Sequence, residues 1–216
     1  MDSRSFPSSI SRQSAARQIM ARYTTMDIAP TTHPSVTGTV NATPKVAVVI
    51  GSDSDAPVMR ETLDVLAEFE VPTEFRVLSA HRTPDDTAAF GREAADRGIQ
   101  VIVAAAGGAA HLAGVIAAMT TLPVIGVPMA QSALGGIDSL LSTVQMPGGI
   151  PVATVAIGGA RNAALLALRI LALSDKRLET VLTAYQDSLA AQTRGKDAAL
   201  RSTVSQSGNN DSLVAR

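Results

Sequence analysis

The chain has 216 residues, of which 46% are hydrophobic, and a formal net charge of -1 at pH 7. This is enough for a globular core of one domain or a small pair, and the near-zero charge argues against nucleic acid or an anionic membrane as partner. The complete lack of cysteine excludes disulfides, thiol catalysis and cysteine-ligated metals. We therefore expect a small-molecule ligand.

Residues 1–44 are rich in Ser, Thr and Pro and have no sustained apolar pattern, which is typical of disorder. The arginines and serines also suit an organelle transit peptide, but we favour a plain tail or a mis-set start codon, with Met26 as an internal start. No apolar segment long enough for a secretory signal follows the arginines. We predict a disordered N-terminal extension over 1–44.

From Lys45 onward, short β-branched runs alternate with helical stretches, as in βαβ units stacked around a parallel sheet. Residues 98–137 contain no charge, but glycines and prolines divide them into lengths typical of buried strands and short helices, so no membrane span is predicted. Five strands are predicted, at Val46–Ile50, Glu74–Leu78, Val101–Ala105, Val124–Val127 and Val152–Val155.

Helices are predicted between these strands. After the first strand, apolar residues at i, i+4 and i+7 from Met59 form a stripe that can cover the sheet. After the second strand, Thr83 is a candidate N-cap and Pro84 a candidate first helical residue, followed by acidic residues in the first turn. We expect this helix to stop at Gly98.

Two helices are predicted at the carboxyl end, over 162–173 and 175–193. The second has an apolar stripe and needs a surface to lie on, either its own sheet or a neighbouring subunit, and we favour the neighbour. We thus divide the chain into a catalytic α/β domain at 45–174, a helical arm at 175–194 that packs on another subunit, and a polar tail at 195–216 that frays.

Small-residue loops follow the first three strands: "GSDSDAP", "SAHRTP" and "AAGGAAH". The carboxyl ends of parallel strands share one edge of the sheet, where open α/β folds bind their ligands. We therefore expect the three loops to form one site.

The first two loops suggest an anionic sugar ligand. Ser52, Ser54 and nearby backbone amides can hold an anion, and the guanidinium of Arg82 matches phosphate oxygens. Asp53 and Asp55 would repel a phosphate lying between them, so at least one faces elsewhere. A carboxylate there can accept hydrogen bonds from sugar hydroxyls or can cap the following helix.

Three histidines are candidates for proton transfer, since imidazole can gain or lose a proton near neutral pH. His81 stands beside Arg82 and is our acid–base candidate, the alternative being a structural histidine. His111 follows Gly107 and Gly108 and can line the pocket or begin a helix. His33 lies in the N-terminal segment and has no predicted role.

Several runs together resemble the class I N5-carboxyaminoimidazole ribonucleotide mutases of the purine-biosynthetic aminoimidazole ribonucleotide (AIR) carboxylase family. They are "GSDSD", "SAHRTP", "AGGAAHLAGVIAAMTTLPVIGVP" and "GGIDSLLSTVQMPGGIPVATVAIGGARNAALLA", and the resemblance covers residues 45–173. It implies a three-layer flavodoxin-like fold with a central parallel sheet, a cytoplasmic homo-octamer, and carboxylate transfer from an exocyclic nitrogen to ring carbon C4 without metal, ATP or cofactor.

The resemblance also assigns roles to residues. It implies that His81 handles the proton, that Ser52, Asp55 and Arg82 bind the ribonucleotide, and that Ser79 lies near the phosphate. The small residues of 104–110, Gly107 and Gly108 among them, can wall a pocket that retains CO2. Substrate hand-over from the ATP-dependent synthetase that makes the carbamate is a further expectation. The segment "AIGGARNAALL" is shorter than in many relatives, which leaves its ligand contact open.

Two alternatives remain. A sister class carboxylates AIR directly with CO2, but typically has lysine in place of Arg82 and "AGRSNG"-like residues in place of "AGGAAH". A flavodoxin-like carrier or signalling module without turnover is the other. Flavin binding favours aromatic faces, whereas the chain has no Trp, and Tyr23 and Tyr185 lie outside the three loops.

Overall fold

The computed structural model describes residues 43–130 and 133–211, with side chains up to residue 204. Most of the predicted N-terminal extension, including His33, lies outside the described residues. The described chain divides after Leu178 into two compact units. The first contains the sheet, and the second contains most of the C-terminal helix.

The sheet of the first unit has five parallel strands in the order β2-β1-β3-β4-β5 among the described residues. The strands are β1 (Val46–Ile50), β2 (Thr73–Val77), β3 (Val101–Gly107), β4 (Val124–Met129) and β5 (Ala153–Thr154). The predicted α/β fold with a central parallel sheet is confirmed. β5 is shorter than predicted, because only Ala153 and Thr154 pair with β4.

Helices cover both faces of this sheet. They are α1 (Ala56–Glu68), α2 (Pro84–Glu93), α3 (Leu112–Ala117), α4 (Ile137–Val144) and α5 (Ala160–Ala172). A further helix, α6 (Lys176–Asp211), lies mostly in the second unit. Ala47 and Val49 face a core that includes residues of α2 and α3, whereas the intervening residues of β1 are buried on the opposite face. There α1 packs against α5, and Thr62 Oγ1 donates a hydrogen bond of 2.8 Å to the carbonyl of Ala160.

The helix after β2 begins as predicted but ends early. Thr83 is its N-cap residue and Pro84 its first residue, yet the Thr83 hydroxyl makes no capping bond to the helix. It instead accepts a hydrogen bond of 3.0 Å from the backbone N–H of Ser79. Regular helix stops at Glu93, and turns lead to Gly98, whose φ of +88° lies in the left-handed region that favours glycine.

The C-terminal helix is longer than predicted, because α6 continues through Gly195 to Asp211. The predicted helix end at residue 193, before the polar tail, is therefore wrong. A single helical glycine costs only about 1 kcal/mol relative to alanine, and good helix formers such as Lys196 and Leu200 surround it. Packing of this arm on a neighbouring subunit stays a prediction.

None of the helices in the described part of the chain combines the length and hydropathy that a bilayer crossing requires.

Candidate active site

The ends of β1, β2 and β3 lie side by side. Ile50, the last residue of β1, pairs with Val77 on one side and with Ala105 on the other. The loops after these strands border an open cavity of about 370 Å³. Its lining comes from all three loops and the start of α3: Gly51, Ser52, Asp55, Ser79, Ala80, His81, Arg82, Ala106, Gly107, Ala109, His111 and Leu112.

The predicted site residues that line this cavity are Ser52, Asp55, Ser79, His81, Arg82, Gly107 and His111, whereas Ser54 and Gly108 do not line it. Gly108 lies in the turn between β3 and α3, with φ +62°. It is thus suited to reversing the chain, since L side chains rarely adopt this conformation. Ala80 and Leu112 also line the cavity, but as ordinary apolar residues they had no sequence signal to single them out.

The two aspartates of the first loop have different surroundings. The Asp53 carboxylate is exposed and accepts hydrogen bonds from the Ser52 hydroxyl at 3.2 Å and the Ser54 backbone N–H at 3.1 Å. Asp55 is only 1% exposed, lines the cavity and makes no side-chain capping bond to α1. Asp53 therefore supports the turn, and Asp55 presents the carboxylate nearer the 370 Å³ cavity.

The second loop positions Arg82 against the first. The Arg82 backbone N–H donates to the Ser79 hydroxyl at 3.1 Å, and its Nη2 donates to the Gly51 carbonyl at 3.0 Å. Within the described part of the chain, the guanidinium forms no ion pair. Its charge is thus held in place by neutral groups and stays available to an anion.

A second hollow of about 330 Å³ adjoins the first. Ser52, Ser79 and Arg82 line both cavities, and Asp53 and Thr83 line only the second. The hydroxyls and the guanidinium therefore stand where the two cavities meet and can bind an anion there, while the carboxylates of Asp53 and Asp55, which line one cavity each, disfavour an anion close to them.

The two histidines of the site are in contact. Nε2 of His81 lies 2.8 Å from Nδ1 of His111, and the rings meet edge to face, with centroids 4.9 Å apart. The sequence places both residues at one sheet edge but does not predict this bond. The two residues are 30 positions apart, so only the way the loops pack decides the distance between their rings.

In the part of the chain whose side chains the structure describes, no group of three His, Asp or Glu residues is arranged to hold a metal ion. The polar groups of the cavity instead comprise hydroxyls, one guanidinium, one carboxylate and two imidazoles. This set can bind a phosphorylated sugar and can move a proton at a neighbouring atom.

Comparison with known proteins gives a consistent result. A family model described as AIR carboxylase matches residues 45–192. The chain is similar to the N5-carboxyaminoimidazole ribonucleotide mutase of Mycobacterium leprae, at 59% identity over 158 residues, covering 73% of this chain and 92% of that protein. The mutase of Pyrococcus abyssi is 58% identical over 146 residues, covering 68% and 84%.

A solved structure supports the same relationship. The crystal structure of Treponema denticola PurE matches with a TM-score of 0.66 and 30% sequence identity. The match covers 73% of this chain and 98% of that one.

Proposed function

This chain belongs to the AIR carboxylase family, and on that premise we propose that it interconverts N5-carboxyaminoimidazole ribonucleotide and 4-carboxy-5-aminoimidazole ribonucleotide in purine biosynthesis. The sequence relationship to mutases supports this reaction. The structural observation on which the proposal depends is one cavity that contains Arg82, Asp55 and His81. Direct carboxylation of AIR is the disfavoured alternative.

We place the substrate phosphate at the junction of the two cavities. There it would accept hydrogen bonds from the Ser79 hydroxyl, from the Ser52 hydroxyl once its proton turns away from Asp53, and from the Arg82 guanidinium, which has no carboxylate partner among the described residues. Charge-assisted hydrogen bonds of this kind are roughly twice as strong as neutral ones. Phosphate binding thus orients the ligand without direct contact to the reacting atoms.

We assign the Asp55 carboxylate to the ribose hydroxyls. It is buried at the floor of the first loop and lines the larger cavity beside Ser52. An ionised carboxylate accepts hydrogen bonds only, so it matches two adjacent hydroxyl donors and disfavours a second phosphate. The base of the nucleotide would then extend toward His81 and the third loop.

The first half of the reaction breaks the bond between nitrogen and the carboxylate carbon. His81, as an imidazolium, protonates the carbamate nitrogen, and the electron pair of the breaking bond stays on that nitrogen. The products held in the cavity are CO2, AIR and neutral His81. General acid catalysis by a positioned side chain of this kind contributes about 10²- to 10⁴-fold.

The second half forms the new carbon–carbon bond. Ring carbon C4 of AIR attacks CO2, and neutral His81 removes the proton from C4, which restores the aromatic ring and the imidazolium. CO2 must not escape between the two halves. Ala106, Gly107 and Ala109 line the cavity with small, mostly apolar surfaces that suit a close fit around CO2 and the exclusion of water.

We propose the finer family features as well: a cytoplasmic homo-octamer that receives its carbamate substrate from the ATP-dependent synthetase. One surface supports assembly. Ile137, Leu141 and Val144 follow each other at i, i+4 and i+7 along α4 and, with Leu134, are 48–64% exposed. An apolar stripe of this kind on a helix suits contact with a second copy of the chain.

The choice of carboxyl donor tests the reaction. Purified protein should convert N5-carboxyaminoimidazole ribonucleotide rapidly without ATP and should use AIR plus bicarbonate only poorly. Both assays follow formation of 4-carboxy-5-aminoimidazole ribonucleotide. Efficient turnover with AIR and bicarbonate alone would contradict the mutase assignment and support the sister carboxylase.

A further inference from the structure

We infer that His111 is a positioning residue whose Nδ1 accepts a hydrogen bond from Nε2 of His81, so that Nδ1 of His81 is the atom that transfers the proton. This inference rests on the proposed function, because it concerns the acid–base step assigned to His81. It adds the role of a second histidine and the identity of the reacting nitrogen.

The first step of the argument is the bond itself. Nε2 of His81 and Nδ1 of His111 are 2.8 Å apart, which is a good hydrogen-bond distance. Among the described residues, each ring makes its only hydrogen bond with the other. Since Nε2 of His81 is already engaged, Nδ1 is the nitrogen left for a ligand in the cavity.

The second step is the direction of the bond. An imidazolium has a hydrogen on both nitrogens and can only donate. When His81 is the acid of the first half-reaction, its Nε2–H must donate and Nδ1 of His111 must accept. Neutral His111 then has its own proton on Nε2. A hydrogen bond to one nitrogen thus determines the tautomer of the pair.

The third step is that the same bond serves both half-reactions. When His81 loses its Nδ1 proton to the carbamate nitrogen, its Nε2–H still donates to His111. Neutral His81 therefore has a lone pair on Nδ1, where it can take the proton from C4. One proton leaves Nδ1 and one returns, and no other proton moves. Without His111, the neutral ring can adopt the other tautomer or rotate.

The fourth step is that His111 is well anchored. Its backbone N–H donates to Ala109 at 2.8 Å, and its carbonyl accepts from Val115 at 2.9 Å in the first turn of α3. The neighbouring residues Ala110 and Leu112 are both buried. The ring thus extends from a backbone fixed to the core, which suits a residue that orients another.

The kinetic test compares two substitutions with opposite properties. His111→Asn keeps an acceptor, because its Oδ1 branches from Cγ as Nδ1 does, but loses the ring. His111→Phe keeps the ring but loses the acceptor. We expect His111→Phe to lower kcat about 10- to 100-fold, the size of effect known for groups that orient metal-binding histidines, with KM changed less than about threefold. His111→Asn should stay within about fivefold of the wild-type kcat.

If the His111 ring only fills space, His111→Phe should lower kcat less than His111→Asn does. That result would overturn the inference. Wild-type kcat in His111→Phe would also overturn it. Thermal melting checks that both variants fold. A wild-type protein without mutase turnover would instead overturn the proposed function, so the two failures are distinguished.

A spectroscopic readout does not depend on turnover. In protein labelled with ¹⁵N-histidine, the Nε2–H of His81, identified by its loss in His81→Asn, should give a proton signal slowed in exchange with water. We expect this signal in the wild type and in His111→Asn, and its loss in His111→Phe. A wild type without the signal would overturn the inference.

Discussion

On the proposed function, the side chains of the cavity divide into those that would hold the ligand and those that would act on it. Ser52, Ser79 and Arg82 occupy the junction of two cavities. The guanidinium is placed before any ligand arrives, because Arg82 donates to the Ser79 hydroxyl and to the Gly51 carbonyl. His81 lies in the same loop but bonds across to the third loop. Substitutions at Arg82 and at His81 should therefore affect different kinetic constants.

Replacing His81 with Asn should abolish most turnover while leaving binding intact. Asparagine cannot donate and then accept a proton near neutral pH, so we expect kcat to fall at least about 10²-fold. Ribonucleotide affinity, measured by isothermal titration calorimetry, should change less than about threefold, because the phosphate contacts remain. His33→Asn, in a segment without a predicted role, is the control. Near-normal turnover in His81→Asn would contradict the mechanism.

Replacing Arg82 with Met should weaken binding. Hydrogen bonds to charged groups contribute about 1.5–3 kcal/mol each, so we expect KM to rise about 10- to 100-fold with a smaller effect on kcat. The KM of Arg82→Lys should lie between those of the wild type and Arg82→Met, because an ammonium keeps the charge but lacks the planar guanidinium that forms two parallel hydrogen bonds. Arg60→Met is a matched control, since Arg60 pairs with Asp64 on the exposed surface of α1. An unchanged KM in Arg82→Met would rule out the phosphate assignment.

The strands and helices hold the loops in position through buried contacts. β1 pairs with β2 on one side and with β3 on the other. The pairing of β1 with β2 sets the distance between the first two loops. On the opposite face from the α2–α3 core, α1 begins directly after the first loop and packs on α5. The hydroxyl of Thr62, which is 0% exposed, links these two helices.

Replacing Thr62 with Val should lower the free energy of unfolding by about 1–3 kcal/mol. Valine keeps the shape of the side chain but removes the only hydroxyl donor to the Ala160 carbonyl that the described residues show, and removing one partner of a buried hydrogen bond typically costs this much. Urea unfolding measures the change. The control is Thr183→Val, which removes the hydrogen bond from the Thr183 hydroxyl to the Glu179 carbonyl on the exposed surface of α6. Its free energy of unfolding should stay within about 0.5 kcal/mol of the wild-type value. Equal effects of both substitutions would contradict the argument.

For the molecule as a whole, the exposed apolar stripe of α4 is a feature that contacts among the described residues leave uncovered. Burying such side chains contributes about 25 cal/mol per Å² of apolar area, so contact with other copies would be favourable. Eight chains of 22.2 kDa correspond to an assembly of about 178 kDa.

Replacing Leu141 with Asp should shift sedimentation from this assembly toward smaller species, because a charge would then be buried in the proposed contact. Leu200→Asp is the control: Leu200 is exposed on α6 but lies outside the region matched by the family model. It should sediment like the wild type. A wild type that sediments as a monomer would contradict the octamer, and an unchanged Leu141→Asp assembly would exclude α4 from the contact.

The local sequence is sufficient to predict an element whose bounds depend on that segment alone. β1 lies where predicted because five consecutive apolar residues between Lys45 and Gly51 can only be buried on both faces of a sheet. β5 was predicted too long because pairing with β4 stops after two residues, and pairing is a property of two strands. α6 extends beyond its predicted end because the polar residues after Gly195 continue the helix, although their composition suggests a tail.

The same division holds for the site. Parallel strands place their carboxyl ends at one edge, so the sequence alone predicted that the loops around Ser52, His81 and Gly107 would meet. Which aspartate faces the 370 Å³ cavity and which atoms of His81 and His111 touch depended on side-chain rotation and on the approach of distant loops. A sequence pattern indicates which face of a strand or helix is buried and at which edge of the sheet the following loop lies. Distances between side chains on different loops arise only when the whole core packs.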